Sequence, residues 1–157
     1  MDLKFTQPGQ TVALNRKARH NYEITEEIEA GIILTGSEVK AVRLGLVSIV
    51  DCYVFNKNGE LWLKNMHIGQ FKQANRLNHA PMRDRKLLLK SREINKMIGK
   101  INEKGASAVV LKVFFNSRNL VKIMLGLGHG KKLYDKRRDI KHRDWQRQQR
   151  RELKHKE

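Results

Sequence analysis

The chain has 157 residues, enough for one domain of ordinary size, and its formal net charge at pH 7 is +17. So high a charge predicts a polyanionic partner, with nucleic acid as the first candidate and an acidic membrane surface as the rival. The sequence has neither a basic amphipathic stripe nor an apolar run of membrane-spanning length, so it does not favour membrane binding. Because the start has no apolar leader and Cys52 has no second cysteine to pair with, we expect a cytoplasmic protein.

The first third of the sequence predicts an arm, a strand and a short helix. Residues 1–14 are mostly polar, with a short strand at 11–14, and the alternation within 22–34 predicts a strand bent near Gly31. Thr35 and Glu38 then have the spacing of a capping box. A short helix should follow, with Val39 and Val42 facing inward.

The middle of the chain predicts a hairpin, a loop and two helical segments. Residues 49–57 and 60–66 flank Asn58-Gly59, which favours a type I′ turn. The polar stretch 69–81 is expected to be a surface loop long enough to suggest a function. Residues 84–90 are interpreted as a short helical turn, and Ser91 is expected to cap a longer amphipathic helix that ends at Gly105.

The last part of the folded region predicts a second hairpin, formed by 108–115 and 120–127. One face of its first strand should carry the apolar residues at alternate positions, namely Val109, Leu111, Val113 and Phe115. About six strands in hairpins favour a mainly β fold, an antiparallel OB-like β-barrel with about three short flanking α-helices.

A basic tail should follow the barrel. Gly126, Gly128 and Gly130 alternate at its start and are interpreted as a hinge, because glycine adopts positive φ readily. The tail, 131–157, contains neither Gly nor Pro and has few large apolar residues. We therefore expect two units, a barrel domain at 1–130 and a tail at 131–157 that is disordered when free.

Several patterns could suggest catalysis, but they lack the companion residues that the chemistry needs. Ser37 and Lys40 have the spacing of penicillin-recognising acyltransferases without the partner motifs, and Lys131 ends no complete phosphate loop. The six histidines have no metal-ligand spacing. We expect no catalytic residue, no metal and no cofactor, although Glu29 beside His20 leaves a basic ribonuclease as an alternative.

RNA contact has better support, because one short segment combines three kinds of RNA-binding side chain. Within eight residues it carries cations for phosphates, amides for hydrogen bonds and rings for stacking. These residues are Asn15, Arg16, Lys17, Arg19, His20 and Tyr22. The plainer interpretation, a solvated basic segment, stays open, as does an edge or turn role for Glu29.

Several stretches together resemble one family over roughly residues 10–150. They are Ala13 to His20, Glu29 to Ile32, Thr35 to Lys40, Arg85 to Leu89 and Gly130 to Arg137. In this order they resemble the small protein B (SmpB) family, the SsrA-binding proteins of trans-translation. The resemblance implies an OB-like barrel, in agreement with the hairpins, and a non-enzymatic adaptor.

The resemblance also implies partners. Family members bind the tRNA-like domain of transfer-messenger RNA (tmRNA), support its alanylation by alanyl-tRNA synthetase, and enter stalled 70S ribosomes with elongation factor Tu. It implies that the tail becomes helical in the empty mRNA channel, near the decoding centre of the small subunit. A ribosomal structural protein with a similar charge and tail is the remaining alternative.

The resemblance implies roles for two sets of residues. The RNA-binding set comprises Asn15, Arg16, Lys17, Arg19, His20, Tyr22, Glu29 and Leu88. The ribosome-binding set in the tail comprises Gly130, Lys131, Lys132, Tyr134, Asp135, Lys136 and Arg137. Tyr134 stands where some members have histidine, so a stacking role is retained while a role that needs an imidazole proton is not.

Overall fold

The computed structural model describes residues 9–154, which form nine strands and four α-helices. The strands are β1 (Thr11–Leu14), β2 (Tyr22–Ile32), β3 (Val47–Ser48), β4 (Tyr53–Lys57), β5 (Glu60–Lys64), β6 (His67–Ile68), β7 (Arg85–Leu88), β8 (Ala106–Phe115) and β9 (Val121–Gly130). The helices are α1 (Ala18–Asn21), α2 (Gly36–Arg43), α3 (Ser91–Asn102) and α4 (Leu133–Lys154), and a 3-10 helix spans Lys72–Leu77. Within residues 9–154, no helix is both long and apolar enough to cross a membrane.

Six antiparallel strands close into a ring in the order β8, β4, β5, β7, β2, β9 and back to β8. β1 pairs with β8 outside the ring, and β3 pairs with β6. The ring surrounds the main core, and α3 packs Met97, which is fully buried, against it. The predicted mainly β, OB-like barrel with flanking helices is confirmed.

Both predicted hairpins are present. Asn58 and Gly59 have φ values of +53° and +76°, as the type I′ turn between β4 and β5 requires. β8 and β9 pair along their length, from Ala106 opposite His129 to Phe115 opposite Val121. At α2, Thr35 N–H donates to Glu38 Oε2 at 2.8 Å, the carboxylate bond of the predicted capping box.

The helical interpretation of residues 84–90 is wrong, because this segment contains strand β7. Lys86 lies opposite Trp62 of β5, and Leu88 lies opposite Gly31 of β2. Leu87 is buried and Leu88 is half exposed, as alternation in a strand requires. The run of three leucines has no period of its own, so pairing with two neighbouring strands decided the structure.

The hinge interpretation of the three glycines is also wrong. β9 stays paired as far as Gly130, which lies opposite Tyr22, and none of the three glycines has positive φ. A Cβ atom on Gly128 would lie 2.1 Å from the carbonyl oxygen of Glu23, and one on Gly126 would lie 3.0 Å from Leu111. These two glycines therefore allow close packing against β9.

Two β-bulges change which side chains of β2 and β8 face the barrel core and which face outwards. In the pairing with β9, Thr25 of β2 and Leu111 of β8 are extra residues without an opposite partner. Beyond each bulge the alternation shifts by one residue. Val113 and Phe115 therefore face the barrel core, whereas Val109 belongs to a second cluster. The prediction that Val109, Leu111, Val113 and Phe115 share one face is wrong for this reason.

The second cluster lies on the outer surface of the ring. Its buried members are Ala18, Val109 and Leu111, and Tyr22, Ile24 and Met124 pack against them. This cluster attaches α1 to β2, β8 and β9. The irregularity in the pairing of β2 with β9 lies at Thr25, and the bend predicted near Gly31 stays a prediction.

A buried ion network joins α2 to β7. Glu38 and Arg85 are both fully buried, and Arg85 Nε donates to Glu38 Oε1 at 2.9 Å. Arg83 donates to the same carboxylate from Nε at 2.8 Å and from a terminal nitrogen at 2.6 Å. Burial alone would raise the pKa of Glu38, but the hydrogen bonds from Arg83 and Thr35 and the charges of both arginines outweigh it and lower that pKa.

The tail is helical in the structure and projects from the barrel. Only residues 131 and 132 separate β9 from α4, which has 22 residues, most of them exposed. Lys131 N–H donates to the Asn21 carbonyl at 2.8 Å, and Lys131 Nζ donates to Asp139 at 2.6 Å. The latter bond lowers the pKa of Asp139. The disorder of the free tail and the division into two units stay predictions.

Candidate nucleic-acid interface

The loop between β1 and β2 holds most of the predicted RNA-binding residues, and Asn15 shapes it. The Asn15 side-chain amide donates to the carbonyls of Val110 at 3.1 Å and Ile49 at 3.3 Å, and its oxygen accepts from Ala18 N–H at 3.1 Å. These bonds fix the start of α1 against the barrel. In this structure the polar atoms of Asn15 therefore position the loop.

The next residues in the loop present cations to solvent. Arg16 and Lys17 are exposed, while Arg19 is paired with Glu27 on β2. His20 is half-buried, and its Nδ1 accepts a hydrogen bond from Arg143 of α4 at 3.0 Å. The loop therefore presents two exposed charges, while two further side chains contact neighbouring elements.

The outer surface of β2 brings the remaining predicted residues onto the same side of the sheet. Tyr22 and Met124 both pack against the outer cluster, and Glu29 lies directly opposite Met124 across the β2–β9 pair. Directly opposite residues share a face. Regular alternation would put Tyr22 and Glu29 on opposite faces because seven positions separate them, and the bulge at Thr25 puts them on one.

Leu88 extends this outer surface to β7. It lies opposite Gly31, and a Cβ atom on Gly31 would be only 3.2 Å from Leu88 Cβ. The absence of a side chain at Gly31 leaves Leu88 standing above the sheet, with half of its surface exposed. Leu88 thus provides an apolar contact surface that a base or ribose could cover.

Three residues of the same surface escaped the sequence analysis. Lys122 lies opposite both Gly31 and Phe114, and its Nζ is 3.6 Å from Glu29. Lys112 places its ammonium 5.0 Å from the centre of the Phe114 ring. A cation beside an aromatic ring suits RNA, because it can contact a phosphate while the ring contacts a base. Their alternate positions, 112 and 114, were the available signal.

The structure does not bring together the pair that a ribonuclease would need. His20 precedes β2 and contacts Arg143, whereas Glu29 lies near the other end of that strand and contacts Lys122. Tyr22 and Glu29 are seven positions apart along the strand, about 23 Å at the usual rise. Among residues 9–154, no three His, Cys, Asp or Glu side chains are grouped as metal ligands.

The predicted ribosome-binding residues occupy the start of α4 and the segment before it. Gly130 is the last residue of β9, and Lys131 and Lys132 connect it to the helix. Tyr134 is 74% exposed, and Asp135 and Arg137 are exposed beside it, whereas Lys136 is half-buried. An exposed ring flanked by charges is available for contact at the point where the helix leaves the barrel.

Comparisons with known proteins agree on one family. The family model described as "SmpB protein" matches residues 12–155. The SsrA-binding protein of Orientia tsutsugamushi (strain Boryong) is 52% identical over 145 residues, covering 92% of this chain and 95% of the relative. That of Rhizobium meliloti (strain 1021) is 50% identical, covering 92% and 91%.

A solved structure agrees with the sequence comparisons. One chain of a structure described as "tmRNA-SmpB: a journey to the center of the bacterial ribosome" is similar with a TM-score of 0.65 and 44% sequence identity. The similarity covers 77% of this chain and 85% of that one. With the family model spanning the barrel and most of the tail, this chain belongs to the SmpB family of SsrA-binding proteins.

Proposed function

We propose that this chain is a non-enzymatic adaptor that binds the tRNA-like domain of tmRNA during trans-translation. In this role it supports alanylation of tmRNA and its delivery, with elongation factor Tu, to the A site of stalled 70S ribosomes. The barrel binds tmRNA, and the tail at 131–157 tests whether the mRNA channel is empty. Membership of the SsrA-binding family supports the first part, and the charge and position of α4 support the second.

The observation that carries tmRNA binding is the single outer surface assembled by the bulge in β2. Tyr22, Glu29 and Leu88 lie on one side of the sheet, and the cations of the α1 loop border it. Exposed Arg16 and Lys17 can neutralise phosphates, while Leu88 can pack against an unstacked base or a ribose. This combination fits a folded RNA better than it fits an acidic protein surface.

The test of the barrel surface uses the isolated tRNA-like domain and three single variants. Arg16→Ala should weaken binding and reduce the slope of log K against log salt by about one, since one phosphate contact is lost. Leu88→Ala should weaken binding without changing that slope. Arg92→Ala, an exposed cation on α3, is the matched control and should bind as the wild type does. Wild-type affinity of both Arg16→Ala and Leu88→Ala would refute the proposed surface.

The tail is proposed to act through charge and overlap. Between Leu133 and Lys154 it has nine lysines and arginines against four acidic residues, so it is attracted to an electronegative RNA tunnel. Intact mRNA occupies the same tunnel, and the two polymers would exclude each other. Selection of stalled ribosomes then requires no catalysis.

The division of labour is tested by neutralising Asp135, Lys136 and Arg137 together. The triple variant should keep its affinity for tmRNA and lose peptide tagging on stalled ribosomes, because the three residues belong to α4 and not to the strands that carry Tyr22, Glu29 and Leu88. Gel-shift assays and in vitro tagging provide the two readouts. An equal loss in both assays would contradict separate roles for barrel and tail.

A further inference from the structure

A groove on the barrel adjoins the proposed tmRNA surface and shares Asn15, Lys17 and Tyr22 with it. Its volume is about 610 Å³, and it lies between the α1 loop, the last turn of α3, and strands β4 and β8. In the ring, β4 and β8 share a single residue pair, Tyr53 opposite Val109. Because the two strands separate beyond that pair, they leave the groove open to solvent. A space of this size exceeds what one nucleobase needs and falls within the usual range of ligand sites.

The walls of the groove combine aromatic rings with amide groups. Tyr53 is 41% exposed, and the centre of its ring lies 6.5 Å from that of Phe55. Asn56 and Asn102 are exposed and line the same space. A ring face stacks on any base, and amide groups both donate and accept hydrogen bonds at base edges.

The low charge of the groove favours a base over a phosphate as its occupant. Lys17 and Asp51 are its only charged lining residues among those described, although the chain carries a net charge of +17. A phosphate site would concentrate the cations that this protein has in excess. A nearly neutral, aromatic groove in a strongly basic protein is instead suited to a neutral, flat ligand.

The thiol that lines the groove is not a reactive group. Among the described residues that line the groove, Cys52 alone carries a thiol, and burial raises the pKa of that thiol to about 12. The Cys52 Sγ is 3.2 Å from the Asn65 carbonyl, to which it donates. The thiol therefore stays protonated and internally bonded, and the groove is suited to binding alone.

We propose that this groove binds one unpaired nucleobase of the RNA that occupies the adjacent outer surface. The base stacks on Tyr53, and its flanking phosphate reaches Lys17. Its edge accepts from the Asn56 side-chain NH2, whose oxygen already accepts from Gly59 N–H at 3.0 Å, and bonds the Asn102 amide. The inference rests on the proposed function and extends it, because Lys17 and Tyr22 border both sites. It makes the RNA partner one with an extruded nucleotide next to a folded helical element.

The walls of the groove are already in place, so the protein need not rearrange to bind a base. Tyr53 is fixed in β4 between Lys64 of β5 and Val109 of β8. The opposite wall is held by Asn15, whose amide bonds reach the carbonyls of Ile49 and Val110. Because the backbone of both walls is already held, little further ordering of the chain is needed when a base enters the groove.

The test measures affinity for the tRNA-like domain at several salt concentrations. Tyr53→Ala should weaken binding about tenfold with an unchanged salt slope, as loss of one stacked base predicts. Tyr53→Phe keeps the ring and should recover most of that loss. Leu77→Ala removes an apolar side chain that is 87% exposed outside the groove and should have no effect.

Two outcomes separate this inference from the proposed function. If Tyr53→Ala binds as the wild type does while Leu88→Ala is impaired, the groove proposal is refuted and the tmRNA surface stands. If Leu88→Ala and Arg16→Ala both bind as the wild type does, the tmRNA surface itself is refuted. Should Tyr53→Ala fail to fold, the wild-type protein can be photocrosslinked to RNA that carries 4-thiouridine. A crosslink within residues 51–56 is expected, and crosslinks confined to other peptides would overturn the proposal.

Discussion

The buried ion network makes the sharpest stability prediction, through the substitution Glu38→Ala. The carboxylate of Glu38 accepts hydrogen bonds from Arg83, from Arg85 and from Thr35 N–H at 2.6 to 2.9 Å. Arg85 also donates to the carbonyls of Met66 at 2.6 Å and of Pro81 at 3.1 Å. Removing the carboxylate leaves the guanidinium of Arg85 buried with carbonyl partners but without a counter-charge.

The magnitude follows from the burial of both charges. Breaking a fully buried ion pair by removing one partner costs about 3–5 kcal/mol, because the other charge stays desolvated. That is a large part of the roughly 5–15 kcal/mol by which a domain is usually stable. For a chain of this length, the melting temperature should fall by about 6–20 °C.

Urea denaturation followed by circular dichroism measures the effect, with Glu26→Ala as the control. Glu26 pairs with Lys96 at 2.6 Å, but about half of the lysine side chain and a third of the glutamate side chain are exposed. Exposed pairs contribute less than about 1 kcal/mol. If Glu38→Ala destabilises the protein no more than Glu26→Ala does, the buried network does not hold α2 against β7.

The same network predicts acid sensitivity. The folded-state pKa of Glu38 is lower than its unfolded value of about 4.3, so its stabilising contribution is present above that value. The contribution is lost as the pH falls through the lowered folded-state pKa. The difference in unfolding free energy between wild type and Glu38→Gln should therefore shrink between pH 6 and pH 3, and a constant difference would contradict the assignment.

Three further predictions concern single residues. Gly128→Ala should destabilise the protein by more than about 2 kcal/mol in urea denaturation, because its Cβ would overlap the carbonyl of Glu23. Gly36→Ala is the control and should change stability by less than about 1 kcal/mol, because the space around Gly36 is open. Cys52 should not react with a thiol reagent at pH 8 until the protein unfolds, because its pKa is raised to about 12, and stoichiometric labelling of the folded protein would contradict its burial. Asn58→Ala should lower stability by about 1 kcal/mol and Asn58→Gly should not, because φ is +53° at this position, and equal effects would argue against the type I′ turn.

Local patterns predicted the hairpins, the capped helix and the α3 face, because each depends on residues close together in sequence. Asn58-Gly59 specifies its turn without help from the rest of the chain. β7 shows the opposite case. Leu87 and Leu88 have no periodic signal, and their strand exists because β2 and β5 provide partners distant in sequence.

The candidate interface was predictable in composition and not in geometry. The cations and Tyr22 stand out in the sequence, but their common face with Glu29 depends on the bulge at Thr25, which no local pattern marks. The hydrogen bonds of the Asn15 side chain were not predictable for the same reason, because their carbonyl acceptors lie 34 and 95 residues away in sequence. Burial of Glu38 likewise depends on Arg85, 47 residues further on.

Because of the two bulges, the number of residues in β2 and β8 determines which side chains face outwards. Deleting Thr25 alone would restore simple alternation in β2 and rotate every side chain on one side of that point by half a turn relative to its neighbours. Such a deletion removes no charge and no ring, yet it would turn Tyr22 and Ile24 towards the interior or expel Ile28 from it. Relatives are therefore expected to tolerate substitutions at position 25 more readily than a gap there, whereas the burial of Leu111 restricts both kinds of change at position 111.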